Sequence, residues 1–344
     1  MRRFPYTAFW APLSAMGLLL FQNEACREGV KNGLRICGNV LLPALFPFSV
    51  LSALALKTGF PDFAGRRLGP FAEKAFSLPG SAAAPIAIGL LGGYPLGIHA
   101  LCSLYREGGL TKRQAASLSA FCNNPGPAFL IGAVGAVCLD SVRLGLVLMG
   151  ITLLSAGLTG VLFAPVREAD SNRILKQKAP EPLSAAFPKA VAEATGSMLR
   201  VAGMVVFFSA FQAVCTRALD RLSLPDWVYC LSLGSLELTA GITTVSRLGL
   251  HLRFLFCALL TGWGGVCVHL QALEALQAAG LPFGSYLLGK TLQALISLLL
   301  TCAVSVLFFP TAAGIRLLLP AAALLLLFFF FFSKRHWKKR SCVV

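Results

Sequence analysis

Two amides followed by two prolines, Asn123-Asn124-Pro125-Gly126-Pro127, interrupt a stretch that is otherwise apolar. Proline removes a backbone donor and frees upstream carbonyls, and it pushes the preceding residue toward extended geometry. Freed carbonyls, freed N–H groups and two side-chain amides together form a polar niche suited to a solute or an ion. The alternative is a kinked helix whose amides satisfy a neighbouring helix. A second apolar stretch is broken by Gly92-Gly93-Tyr94-Pro95-Leu96-Gly97. Glycine allows close backbone approach and unusual dihedrals, and small residues also serve helix packing in membranes. The Tyr94 hydroxyl needs a partner wherever it is buried.

The charged residues within apolar sequence are few. Glu237 is the one acid in the middle of such a segment. A charge at the membrane centre costs roughly 2.5–3.5 kcal/mol on insertion scales, so this carboxyl is protonated, paired or facing a wet cavity. It is a candidate for coupling to H+ or Na+; the alternative is a structural pair with Arg200 or Lys290. Lys290 and Arg200 are the cations most nearly surrounded by apolar residues. Either suits an anionic substrate, and either can snorkel to the interface. His99 is a candidate proton-handling group or a donor to a carbonyl. His269, Gln271 and Gln293 are weaker polar candidates beside Gly264-Gly265 and Lys290.

These residues must be held by membrane-spanning elements. The chain has 344 residues, 56% hydrophobic and 13% charged, with a mean hydropathy of +0.75. A soluble domain carries about 25% charged residues. Apolar runs of spanning length cover 36–56, 142–164, 196–215, 254–273, 292–309 and 315–332. The net charge of +16 does not point to nucleic acid, because the basic residues sit in loops and tails, as the positive-inside rule expects. The loop with Arg167, Arg173, Lys176, Lys178 and Lys189, and the tail with Lys334, Arg335, Lys338, Lys339 and Arg340, belong in the cytoplasm beside anionic headgroups. Met1-Arg2-Arg3 and the apolar residues after it outline a signal sequence without a convincing cleavage site, and predict an uncleaved first helix.

The layout predicts an N-terminal transmembrane half (1–164), a charged cytoplasmic linker (165–190), a C-terminal transmembrane half (191–333) and a basic tail (334–344). Each half holds a break, a basic connector and a second break. In the second half these are Leu236-Glu237-Leu238-Thr239-Ala240-Gly241, the residues 247–253, and Gly262-Trp263-Gly264-Gly265. Paired discontinuous helices of this kind mark central sites in secondary transporters. If the segments flanking a connector enter from one side, they make a re-entrant hairpin. The fold expected is an all-α polytopic membrane protein with two repeats, inverted and transporter-like, each a re-entrant hairpin plus a broken transmembrane helix. Thr111 is placed to cap the helix after the first connector. The 11 cysteines are scattered singly, without Cys-x-x-Cys, which argues for packing rather than metal or disulfides. No nucleotide loop, His-Glu-x-x-His or catalytic carboxylate pair is present. The expectation is no enzyme and no cofactor, with lipid and a small-molecule substrate as partners.

Over 89–135, the runs Gly92 to Gly97, Leu104-Tyr105-Arg106-Glu107-Gly108 and Phe121 to Gly132 resemble the YlbJ-type sporulation integral membrane proteins, which belong with the nucleoside-recognition (Gate) domain proteins. The second half fits more loosely, through Leu236 to Gly241 and Gly262-Trp263-Gly264-Gly265. The chain departs from the pattern at Pro125, where a small residue such as serine is expected. That family is similar to concentrative nucleoside transporters. The resemblance implies a role in endospore formation: export of dipicolinic acid from the mother cell across the outer forespore membrane. Partners it implies are a second copy of the chain or other sporulation membrane proteins. It also implies two half-sites, one from Gly93, Tyr94, Pro95, Asn123 and Asn124, the other from Glu237, Thr239, Gly264 and Gly265. Lys290 and the amides would meet the dipicolinate dianion. Glu237 is awkward beside a dianion and suits a coupling role or a neutral nucleoside. A non-transporting scaffold in spore assembly is the reading from another class.

Overall fold

A computed structural model describes residues 6–165 and 180–309. They form helices and no strands. The helices are α1 (Tyr6–Phe21), α2 (Asn23–Ile36), α3 (Leu42–Lys57), α4 (Phe60–Phe76), α5 (Ala83–Leu91), α6 (Leu96–Arg106), α7 (Lys112–Ser119), α8 (Val142–Leu162), α9 (Leu183–Asp220), α10 (Asp226–Leu236), α11 (Leu238–Thr244), α12 (Leu250–Trp263), α13 (Gly265–Ala278) and α14 (Gly284–Phe308). Wide π-type helix spans Cys37–Leu41 and Phe129–Cys138.

Among the described residues, four helical stretches are long and apolar enough to cross a membrane: Val142–Leu162, Leu183–Asp220, Leu250–Ala278 and Gly284–Phe308. Two bent pairs raise the total to six if each counts as one span. Four of the six apolar runs expected from the sequence fall in the four straight stretches. The run 36–56 crosses the bent pair around Leu41, and 315–332 and the basic tail lie outside the described residues. The helix expected at the start of the chain is α1. The loop's charged centre, 166–179, is also outside them, and α9 already begins at Leu183, within the stretch assigned to the linker. Thr111 caps α7 as expected: its hydroxyl accepts from the Gln114 N–H while the Gln114 side chain accepts from the Thr111 N–H, a reciprocal capping box.

The first break of each half turns the chain back on itself. A Cβ on Gly97 would lie 2.9 Å from the Gly89 Cα, so α5 and α6 touch backbone to backbone across the turn at 92–95. In the second half a Cβ on Gly241 would strike the Gly234 Cα, so α10 and α11 do the same across Glu237. The hairpin turns are thus the breaks themselves, not the basic connectors.

The ends of the elements sort to two sides of the breaks. On one side the Cys102 Sγ donates to the Ala275 carbonyl, placing the end of α6 beside the end of α13. Buried Leu101, Leu104, Leu118, Ala272 and Leu276 form the core there. On the other side the Cys138 Sγ donates to the Ile242 carbonyl and Arg253 donates to the Cys138 carbonyl. The core there holds Val134, Leu148, Ile242, Val245 and Phe254. The long α14 is pinned against both halves. A Cβ on Gly289 would collide with the Ala120 carbonyl, and one on Gly262 would lie 2.8 Å from the Ala294 Cα.

Candidate substrate site

The four breaks meet in pairs. Gly93, at φ +84°, presses on Gly126: a Cβ there would lie 2.8 Å from the Gly126 nitrogen. Gly265, at φ +82°, presses on the Glu237 break, where a Cβ would lie 3.2 Å from the Leu238 nitrogen. Both positions combine a left-handed backbone with a close neighbour, which only glycine meets without strain. The Tyr94 hydroxyl then joins the two halves by donating to the Thr261 carbonyl at 2.8 Å. That carbonyl lies in the last turn of α12, where helix ends leave acceptors unused.

Around this crossing lies a cavity of about 50 Å³. Its walls include Tyr94, Pro125 and Gly126 from the first half, and Glu237, Thr239 and Gln271 from the second. Apolar residues, among them Val40, Leu41, Phe129, Val201, Val205 and Val268, line the rest. For comparison, an apolar cavity of about 150 Å³ binds benzene. The space at the crossing is therefore close to water-sized, smaller than a metabolite needs.

Glu237 is buried at 1% exposure and serves as the N-cap of α11. Its Oε1 accepts from the Thr239 N–H at 3.0 Å and its Oε2 from the Ala240 N–H at 2.6 Å. The helix N-terminus meets its charge. It makes no ion pair with Arg200 or Lys290 among the described residues.

Lys290, Asn123 and Asn124 are fully buried but stand behind the cavity wall. The Lys290 Nζ donates to the Asn123 carbonyl at 3.0 Å and to the Gln293 Oε1 at 2.8 Å. The Gln293 Nε2 donates to the Asn124 Oδ1 at 2.7 Å, and the Asn124 Nδ2 to the Phe121 carbonyl at 2.8 Å. These amides hold the broken chain against α14. Gly93, Gly264 and Gly265 shape the crossing, and neither they nor Pro95 line the cavity. The structure thus gathers Tyr94, Glu237, Thr239 and Gln271 at one cavity. Tyr286, whose hydroxyl lies 3.5 Å from the Asn123 Nδ2 and 3.3 Å from the His269 Nδ1, was missed. Its position one turn before Lys290, with Gln293 one turn after, is the signal that marks the shared helix face.

Two larger grooves flank the cavity. One, about 670 Å³, shares Val40, Phe129 and Thr239 with it and runs past Thr243 to Ser246. The other, about 510 Å³, lies one turn further along α9 and α13 and is lined by His99, Arg106, Glu193, Ser197, Arg200 and Glu274. His99 and Arg200 therefore belong to this groove rather than to the crossing.

Residues 40–139 match the family model described as Gate, nucleoside recognition. Every first-half residue lining the cavity falls inside that stretch. The chain is 26% identical over 309 residues to the sporulation integral membrane protein YlbJ of Bacillus subtilis (strain 168), covering 78% of this chain and 75% of the relative. No solved structure matches. The chain is an integral membrane protein that carries a Gate nucleoside-recognition stretch and is similar, along most of its length, to the YlbJ sporulation protein.

Proposed function

We propose that this protein moves a small aromatic metabolite across a membrane during sporulation, and that the metabolite is dipicolinate leaving the mother cell. The observation that carries the transport reading is a narrow cavity at the crossing of four breaks, with one groove on each side of it. That is the arrangement alternating access requires. The sorting of connectors to opposite sides supports two inverted repeats: the 107–111 turn follows α6 on the side of Ala275, and the 245–249 turn lies on the side of Cys138. Each hairpin, α5–α6 and α10–α11, would be re-entrant in that scheme. The end of α8, which leads toward the basic residues, shares a side with the 107–111 turn, because the Ser117 hydroxyl of α7 donates to the Phe163 carbonyl. By the positive-inside rule, the groove of Arg106 and Arg200 then faces the cytoplasm.

Anion substrates fit that groove. Arg106 and Arg200 face Glu274 and a Glu193 already bound to Lys57 at 2.7 Å, which leaves a positive excess. Capping also lessens the objection to Glu237, whose charge is met by two N–H groups. The likeness to YlbJ supplies the sporulation setting.

A nucleoside is the second reading. It is favoured by the absence of any cationic side chain among the cavity's lining residues and by the description of the matching family. Thermal unfolding of the purified protein with dipicolinate, and separately with uridine, tests both. Saturable stabilisation by dipicolinate supports the first reading. Stabilisation by uridine alone replaces it with the second, and stabilisation by neither defeats both.

A further inference from the structure

Lys290 brings an ionisable amine to a fully buried place, and its surroundings are unusual for one. Buried charges are ordinarily paired with an opposite charge, because desolvation costs several kcal/mol per ion. No carboxylate pairs with Lys290 among the described residues. Its partners are neutral oxygens instead: the Asn123 carbonyl at 3.0 Å and the Gln293 Oε1 at 2.8 Å. The Tyr94 ring adds its face, with the centroid 5.2 Å from the Nζ, within cation–π range.

These oxygens are aimed. Donation from the Gln293 Nε2 to the Asn124 Oδ1 turns the Gln293 oxygen toward the ammonium. Donation from the Asn124 Nδ2 to the Phe121 carbonyl fixes Asn124 in turn. The Asn123 carbonyl lies four residues before Pro127, which has no N–H to take it in a regular helix. The Asn123 Oδ1 is buried with no partner among the described residues, an unused acceptor on the same residue. Converging carbonyl and amide oxygens are what replace the hydration shell of an alkali cation in proteins.

We infer that the broken chain at Asn123–Asn124 and the facing turn of α14 form an oxygen-lined site for a monovalent cation, and that the Lys290 ammonium is its resident, tethered cation. An ammonium and an alkali ion carry the same charge and seek the same oxygens. With Lys290 in place the site has no vacancy for sodium, and the break is held without one. The inference concerns the ion behind the cavity wall, so it stands or falls independently of which solute the cavity takes.

The test is thermal unfolding of the purified full chain in choline, sodium, potassium and lithium chlorides at equal ionic strength. Lys290→Ala removes the tethered charge and opens room beside the oxygens. It is expected to be less stable than the parent in choline and to recover, saturably, by about 3 °C or more in at least one alkali salt. The parent is expected to show no such recovery. Lys290→Ser, which adds a hydroxyl ligand, is the second variant should Lys290→Ala not be recovered. An equal response of parent and variant to every salt overturns the inference. So does failure of both variants to fold in all of the alkali salts, since a free cation should then have replaced the lost charge.

Discussion

The Tyr94 hydroxyl donates to the Thr261 carbonyl at 2.8 Å, across 167 positions of sequence. It ties the hairpin turn of the first half to the broken helix of the second, at the wall of the central cavity. A hydroxyl that closes the contact between halves sets how easily they part.

Tyr94→Phe keeps the ring over Lys290 and removes that bond. The Thr261 carbonyl is then left buried without its donor, at a cost of about 1–3 kcal/mol. Thermal unfolding of the variant should drop accordingly, while the closed state, being less favoured, should exchange solute faster relative to its stability. A variant as stable as the parent would show that the halves are held elsewhere.

Gly265→Ala places a Cβ 3.2 Å from the Leu238 nitrogen on a backbone at φ +82°. Strained left-handed positions cost about 1–3 kcal/mol for other residues. The control is Gly203→Ala, in the interior of α9 with open space around its Cβ, where alanine is favoured by about 0.5–1 kcal/mol. Melting temperatures of the two variants should move in opposite directions.

Glu237→Ala removes the cap of α11 and should cost about 0.5–2 kcal/mol. Glu237→Gln retains one acceptor and sets an amide N–H₂ against a backbone N–H, so it should fall between alanine and the parent. If Glu237→Gln unfolds at the parent temperature yet loses solute coupling, the carboxylate acts on the solute and its cap is incidental.

Ser246 and Ala278 are exposed at the mouths of the two flanking grooves. In a background with the native cysteines replaced by serine, Ser246→Cys and Ala278→Cys should react with a membrane-impermeant thiol reagent from opposite sides of sealed vesicles. Reaction of both from one side would rule out the inverted arrangement.

Much of this was legible in the residues, and the rest was not for physical reasons. Glycine and proline announce breaks because their backbone limits are local, so the interruptions at Gly92–Gly97 and Asn123–Pro127 could be read directly. Which break meets which could not, because the approach of Gly93 to Gly126 and of Gly265 to Leu238 depends on helices distant in sequence. Glu237 drew notice as an acid in apolar sequence, but its capping role was hidden because glutamate is not among the favoured N-cap residues. Gln293 was visible one turn from Lys290, whereas the Asn123 carbonyl, being backbone, leaves no mark on composition. The hairpin was expected across the basic connector. Gly89 and Gly97, which both press on the Cys122 carbonyl, place its turn at 92–95 instead.

The most direct measurement is efflux of labelled dipicolinate from proteoliposomes containing the purified chain, with unlabelled dipicolinate or uridine as competitor. The account predicts saturable efflux, competed by dipicolinate, and at least tenfold slower when Thr239 and Gln271 in the cavity wall are replaced by valine and leucine. Efflux no faster than from empty liposomes, or unchanged in that double variant, would contradict it.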